Sequence, residues 1–167
     1  DGHVAIGLQR NNGTKRLLFD NDISIANTHI FQYVEFQRSF AYTLHSNTAN
    51  GGQNRIGYNS GNTLRLLNGG ENTFTSGFSP TLNNPFLYTT FLSADGGSSK
   101  VHVNGSERLN SVLNDRTGNT TFVAVGRGDN DQTGFILLSE LVIYSSDQSA
   151  NRPAIEANIN NQYDIYS

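Results

Sequence analysis

The chain has 167 residues, 35% of them apolar and only 15% charged, with no Cys, Met or Trp and a formal net charge of -3 at pH 7. That length argues for one domain, residues 1–167, with enough chain to bury a core unaided, and the missing cysteines exclude disulfide scaffolds, thiolate metal centres and Cys nucleophiles. Its 22 asparagines and 17 glycines speak against a helical bundle and for short strands joined by polar turns.

Taken in chain order, Val4 to Leu8 is a short apolar run before Asn11-Asn12-Gly13. Leu17-Leu18-Phe19 and then Ile23-Ser24-Ile25 follow, the latter alternating as a half-buried strand does. Ile30 to Leu44 carries Phe31, Tyr33, Phe36, Phe40 and Tyr42, an aromatic density suited to packing between two sheets. After a loop from Asn47 to Gly52 come strands at Arg55 to Tyr58, Leu64 to Leu67 and Phe74 to Phe78, with Asn68-Gly69-Gly70 as a hairpin turn. Phe86 to Ser93 is a strand turned by Asp95-Gly96-Gly97 into Lys100 to Val103, which ends at Asn104-Gly105. Phe122 to Gly126 is a further short strand, and Phe135 to Tyr144 is the longest β-type run.

One helix closes the chain. Ser149 is placed to cap it and Pro153 lies in its first turn, where a missing N–H does least damage. Ile155 and Ile159 share a face, continued by Gln162 and Tyr163, and Ile165-Tyr166 is expected to return as an edge strand. The fold class this predicts is all-β: an antiparallel two-sheet jelly-roll sandwich with one short C-terminal helix. No internal repeat or linker divides it. A chain opening Asp1-Gly2 with no Met reads as a piece excised or processed from a longer one.

From Phe86 through Asp95-Gly96-Gly97 to Val101-His102-Val103-Asn104-Gly105, the chain resembles the strand pair of laminin-G-like and concanavalin A-like lectin/glucanase domains. Val123 to Gly126, Gly134-Phe135-Ile136 and Ser139 to Tyr144 resemble that family's closing strands. Ser145 to Tyr166, with Asn151-Arg152, Ile155-Glu156, Ile159-Asn160 and Tyr163, resembles the C-terminal helix of a jelly-roll subgroup common in bacteriophage tail and surface proteins, adhesins and secreted polysaccharide-degrading enzymes. Before Phe86 only Leu17-Leu18-Phe19-Asp20 carries the likeness. The resemblance implies two antiparallel sheets, the concave one often used for glycans. It does not fix a function, since one fold hosts binding modules, enzymes and structural units.

The residues argue against catalysis. Retaining glycoside hydrolysis needs two carboxyls about 5–5.5 Å apart, and the glucanases of this fold carry Glu-x-Asp-x-x-Glu on one strand. Here Glu35, Glu71, Glu107, Glu140 and Glu156 are scattered, and Asp20 and Asp22 flank Asn21 in what reads as a strand start or turn. His3, His29, His45 and His102 lack metal-ligand spacing, and His102, alternating with two valines, is expected at the surface or rim. No Gly-x-Ser-x-Gly elbow is present.

Three binding signals stand beside blander alternatives. Asp129 and Asp131 lie in an oxygen-rich loop that suits calcium, or an Asx-turn bonding its own backbone. The same loop spells Arg127-Gly128-Asp129, an integrin-like tripeptide for which chance suffices in a chain so rich in Gly and Asp. Sugar-binding candidates are Tyr58, Asn59 and Asn62, with Arg127, Asn130 and Gln132 in the later loop and Asn83-Asn84 between them, Tyr58 reading equally well as half-buried structure. A ring and amides can hold the apolar face and the hydroxyls of a sugar, although no Trp offers a stacking platform and Asn-rich loops are common on β-proteins. Asn12, Asn104 and Asn119 head N-glycosylation sequons that chance alone can supply.

The expectation is therefore a non-catalytic binding or adhesion module at an extracellular or virion surface: a phage tail-fibre, receptor-binding or decoration protein recognising cell-surface polysaccharide. It requires no cofactor, with calcium as the candidate ion, and its partners are a glycan and other virion or surface-protein subunits, including copies of itself. With no basic run and no apolar stretch near ~18 residues, neither nucleic acid nor membrane insertion is expected. The alternatives are a structural block that self-assembles through flat apolar patches, and an accessory domain of a polysaccharide-degrading enzyme.

Overall fold

A computed structural model describes residues 6–8, 17–24, 26–37, 41–45, 55–58, 64–68, 72–75, 78–93, 97–112, 121–125 and 136–167. Its strands are β1 (Ile6–Leu8), β2 (Leu17–Ser24), β3 (Thr28–Phe36), β4 (Ala41–His45), β5 (Arg55–Tyr58), β6 (Leu64–Asn68), β7 (Asn72–Thr75), β8 (Phe86–Leu92), β9 (Ser98–Val103), β10 (Ser106–Val112), β11 (Thr121–Val125) and β12 (Ile136–Tyr144), followed by helix α1 (Arg152–Tyr163). They form two six-stranded sheets, a front one ordered β1-β12-β3-β8-β9-β10 and a back one ordered β2-β11-β4-β5-β6-β7.

Period-two alternation divides each front strand between two environments. Ile30, Val34 and Phe36 of β3, Phe86, Tyr88 and Leu92 of β8, and Val101 and Val103 of β9 join the main core. There they meet Ala41, Leu44, Ile56, Tyr58, Leu64, Phe122 and Val125 from the back sheet. The alternate residues Phe31 and Leu87 form a second cluster with Ile159 of α1. Both faces of the front sheet are thus covered, which is why all seven residues of β8 are buried. Ile155 and Ile159 do lie on the sheet as their spacing predicts, Tyr163 beside them.

Several boundaries differ from the sequence reading. The aromatic run Ile30 to Leu44 is two strands in different sheets, β3 and β4. Leu17 to Ser24 is a single strand, so Asp20 and Asp22 stand at i and i+2 within β2 instead of at a turn. The pairing with β11 steps from Leu18 opposite Ala124 to Ile23 opposite Phe122, and this bulge absorbs both aspartates.

Strand β10 goes beyond the predicted elements. It follows Asn104 (φ 48°) and Gly105 (φ 76°), successive left-handed residues as a two-residue hairpin turn requires. Asn104 also ties this turn to β8: its N–H donates to Leu87 O at 3.0 Å, and its Oδ1 accepts from Leu87 N–H at 2.9 Å. Asn104→Ala removes the acceptor and puts a Cβ-bearing residue without polar compensation at φ > 0, a loss of about 1–3 kcal/mol. Asn104→Gly keeps the turn and loses only the acceptor. Urea unfolding should therefore rank wild type above Gly and Gly above Ala; equal midpoints for all three would contradict this.

The C-terminal helix is capped differently from expectation. Asn151, not Ser149, is the N-cap, and it makes no side-chain cap bond. Ser149 lies in the preceding turn, its N–H donating to Asp147 Oδ1 at 2.8 Å. The first-turn N–H of Arg152 instead donates to Gln148 O at 2.7 Å. Nor is Ile165-Tyr166 a strand. Asn160 Oδ1 accepts from the N–H groups of Ile165 (3.0 Å) and Tyr166 (2.8 Å), and its Nδ2 donates to Tyr166 O (2.8 Å), folding the tail back on the helix.

Candidate functional site

On the outer face of the front sheet, α1 leaves a groove of about 470 Å³ between itself and β12. Strand β12 contributes Glu140, Val142 and Tyr144, which alternate along one side of it. The turn before the helix contributes Gln148 and Asn151, and the helix contributes Ala154, Ile155, Asn158 and Ile159. Helical spacing repeats the polar wall at Asn151 and Asn158, seven residues apart, while the isoleucines turn toward the sheet.

The polar groups here are fixed by their neighbours. Tyr163 lies with its hydroxyl 2.9 Å from Glu140 Oε2 and 3.1 Å from Ser139 O, and its ring 4.5 Å from that of Tyr33. Burial first, then the Glu140 carboxylate, pushes the Tyr163 phenol up to about 12, so it remains a donor at any physiological pH. Asn151 Nδ2 donates to Gln148 Oε1 at 2.9 Å, and Gln148 Nε2 donates to Ser146 Oγ at 2.8 Å. The Gln148 backbone N–H donates to His29 Nδ1 at 3.0 Å, pinning the turn to β3.

Beneath the first turns of α1 lies a buried polar layer. Glu156 is only 2% exposed and pairs with Arg152 one helical turn earlier. His29, 1% exposed, stacks between Phe31 and Phe91, with ring centroids 5.2 and 5.0 Å away. His102 is 5% exposed and is not the surface or rim histidine expected from its strand. Alternation does set it opposite Val101 and Val103, but on this sheet that face is roofed by the helix. Burial lowers both imidazoles to about 4, Asp147 opposing it at His29 and Glu107 at His102. Burial raises the Glu156 carboxyl against the opposing pull of Thr89 and Arg152. Among the described residues, His29 Nε2, His102 Nδ1 and Glu156 Oε1 find no hydrogen-bond partner of good geometry. Among the described residues no group of three His, Cys, Asp or Glu could hold a metal.

The sequence-derived candidates fall elsewhere. Tyr58 is 2% exposed, and its ring lies 5.7 Å from that of Phe36 across the sandwich, so it is a core residue and presents no face to a sugar. Asn59, Asn62, Arg127, Asp129, Asn130, Asp131 and Gln132 lie outside the described residues. Asn83 and Asn84 form an exposed turn in which Asn83 (φ 59°) donates its N–H to Phe36 O. The groove residues Glu140, Tyr144, Gln148, Asn151 and Asn158 were not among the candidates. Their signal is the alternation Glu140-Val142-Tyr144 in a strand followed by amides flanking an isoleucine stripe.

The same arrangement of sheets recurs in solved structures. A native heptameric SAP-like pentraxin from Limulus polyphemus superposes with a TM-score of 0.65 at 16% identity, over 89% of this chain and 77% of that one. The fold is the laminin-G-like, concanavalin A-like jelly roll. Domain 4 of AbnA, a GH43 extracellular arabinanase from Geobacillus stearothermophilus, was solved with arabinotriose. It gives a TM-score of 0.59 at 16% identity, covering 86% of this chain and 76% of that one. A botulinum neurotoxin type C structure, described by its dependence on two ganglioside molecules for cell entry, gives 0.54 at 17% identity over 81% of this chain and 36% of that one. No family model matches this jelly roll's sequence, and no curated protein matches it. No helix among the described residues is long and apolar enough to cross a membrane.

Proposed function

We propose that this jelly roll is an extracellular glycan-binding module whose sugar site is the groove between α1 and β12. One observation carries the reading: the groove sets the Tyr144 ring beside the amides of Gln148, Asn151 and Asn158 and the Glu140 carboxylate. A ring covers the C–H face of a sugar, and amides and a carboxylate bond its hydroxyls, the mixture of a few fixed polar groups and apolar surface that small-molecule sites use. The arabinotriose held by the arabinanase domain and the gangliosides of the neurotoxin support a sugar as the ligand class.

A groove this open gives weak single-site binding, and display in many copies raises it through effective concentration. That suits a virion component such as a phage tail-fibre, receptor-binding or decoration protein, the setting that the C-terminal helix resemblance supports. The loop bearing Asp129 and Asp131 is the proposed calcium site. Within this reading the module binds and does not cleave.

The test is a glycan array probed with a multimerised form of the chain, with calcium and again with chelator. Tyr144→Ala should lower apparent affinity for any hit at least roughly ten-fold, as truncating an anchoring ring does. Hits that survive Tyr144→Ala but vanish with Asp129→Ala or with chelator would move the site to the loop. An array silent under both conditions, with the domain folded, would overturn the glycan reading.

A further inference from the structure

Glu140 is the one charged side chain among the described residues lining the groove, where no Lys, Arg or His joins it. Its carboxylate is oriented by the Tyr163 hydroxyl at 2.9 Å, a neutral donor that brings no positive charge to it. Asp147, half-exposed beside the groove residue Gln148, adds a negative charge at the other end of the groove, where His29 and Lys100 face it, and hydrogen bonds from Ser149 keep its carboxyl below its ordinary value. The nearest cation on the helix, Arg152, is spent on Glu156 below. The remaining polar walls are amides, which serve hydroxyls as both donor and acceptor.

We infer that the groove selects uncharged oligosaccharide units and rejects sugars bearing carboxylate or sulfate groups. An anionic sugar lying along β12 would bring like charge against Glu140 in a site partly shielded by α1, where repulsion is less screened than in open water. A hydroxymethyl at the same position offers one O–H, whose hydrogen bond that carboxylate can accept. The inference rests on the groove being the sugar site, and it names what that site excludes.

The experiment measures paired ligands: galactotriose against trigalacturonate and glucotriose against triglucuronate, titrated into the wild-type chain and Glu140→Gln at two salt concentrations. At low salt the wild type should bind the better neutral trisaccharide at least roughly ten-fold more tightly than its uronate, a gap that narrows as salt rises. Glu140→Gln retains an acceptor for Tyr163 and should bring the ratio within about two-fold of unity, whatever it does to the neutral affinity. Circular dichroism confirms that the variant is folded. Equal wild-type affinities within each pair, or a ratio unmoved by Glu140→Gln, overturns the selectivity and leaves the glycan reading standing. Failure of all four trisaccharides and of the wider array overturns both.

Discussion

Lowering the pH from 6.5 to 4 should strip stability from this protein steeply, and the loss should originate in the layer under α1. His29 and His102 both titrate at about 4 in the folded chain against an ordinary 6.5, because burial disfavours their charged forms. Between those two values the unfolded chain takes up protons that the folded one refuses. Stability therefore falls as pH drops through that window and levels off below about 4. Each histidine contributes up to about 3 kcal/mol of this loss, from roughly 2.5 pH units at 1.36 kcal/mol each. Against a typical 5–15 kcal/mol for a domain, the pair can remove much of the total. Glu156 acts in the opposite sense: its carboxyl is raised, so its burial penalty eases as acid protonates it. Asp147 adds a further loss below that window, because hydrogen bonding to Ser149 first holds its carboxyl below its ordinary 3.8.

The structural cause is specific at His29. Its Nδ1 accepts the Gln148 N–H only while unprotonated. Protonation replaces that bond by an ion pair with Asp147, 3.6 Å away, and unpins the turn that leads into the helix. Urea midpoints at pH 7, 5.5 and 4.5 measure the slope. The double variant His29→Gln/His102→Gln should flatten most of it, since glutamine fills similar space, can accept from Gln148, and does not titrate. A double variant as acid-sensitive as wild type would place the loss elsewhere.

The elements readable in advance were those whose pattern and turn chemistry agreed. Asn104-Gly105 marked a hairpin because two successive residues had to take positive φ, and Ile155 with Ile159 marked a buried helix face. Strand β10 lacked such a signal: from Ser106 to Val112 it is an exposed edge, and no row of apolar residues is needed where one side meets water. Tyr58 reads from sequence equally as a loop-edge sugar contact and as half-buried structure, and its strand decides for the second. Ile56 and Tyr58 stand at i and i+2, the spacing of one sheet face, and both are core. The polar layer under α1 was hidden for a different reason. Arg152 and Glu156 at i and i+4 look like an ordinary solvated helix pair, and only the tertiary position of the helix turns that pair inward. The groove shares this origin, because it is defined by where α1 rests against β12.

That inward pair should be the most sensitive single point in the C-terminal third. Arg152→Ala leaves a carboxylate that is 2% exposed without its cation, and the expected cost is about 3–5 kcal/mol. Glu156→Gln should cost less. It strands a guanidinium that is 20% exposed, within reach of water and of Gly105 O at 3.5 Å, and the amide retains hydrogen-bonding capacity. Replacing both by Leu removes two buried charges together and should be less damaging than Arg152→Ala alone, because desolvation opposes the pair's attraction throughout. The Arg152→Ala variant should also recover some stability on mild acidification, as the unpaired Glu156 protonates, against the general trend of the domain. Urea unfolding of the four proteins at pH 7 and pH 5.5 gives the ranking. If Arg152→Ala costs under about 1 kcal/mol, the layer is solvated and the helix is held by its isoleucines alone; a double Leu variant less stable than Arg152→Ala would mean that the pair's attraction outweighs its desolvation.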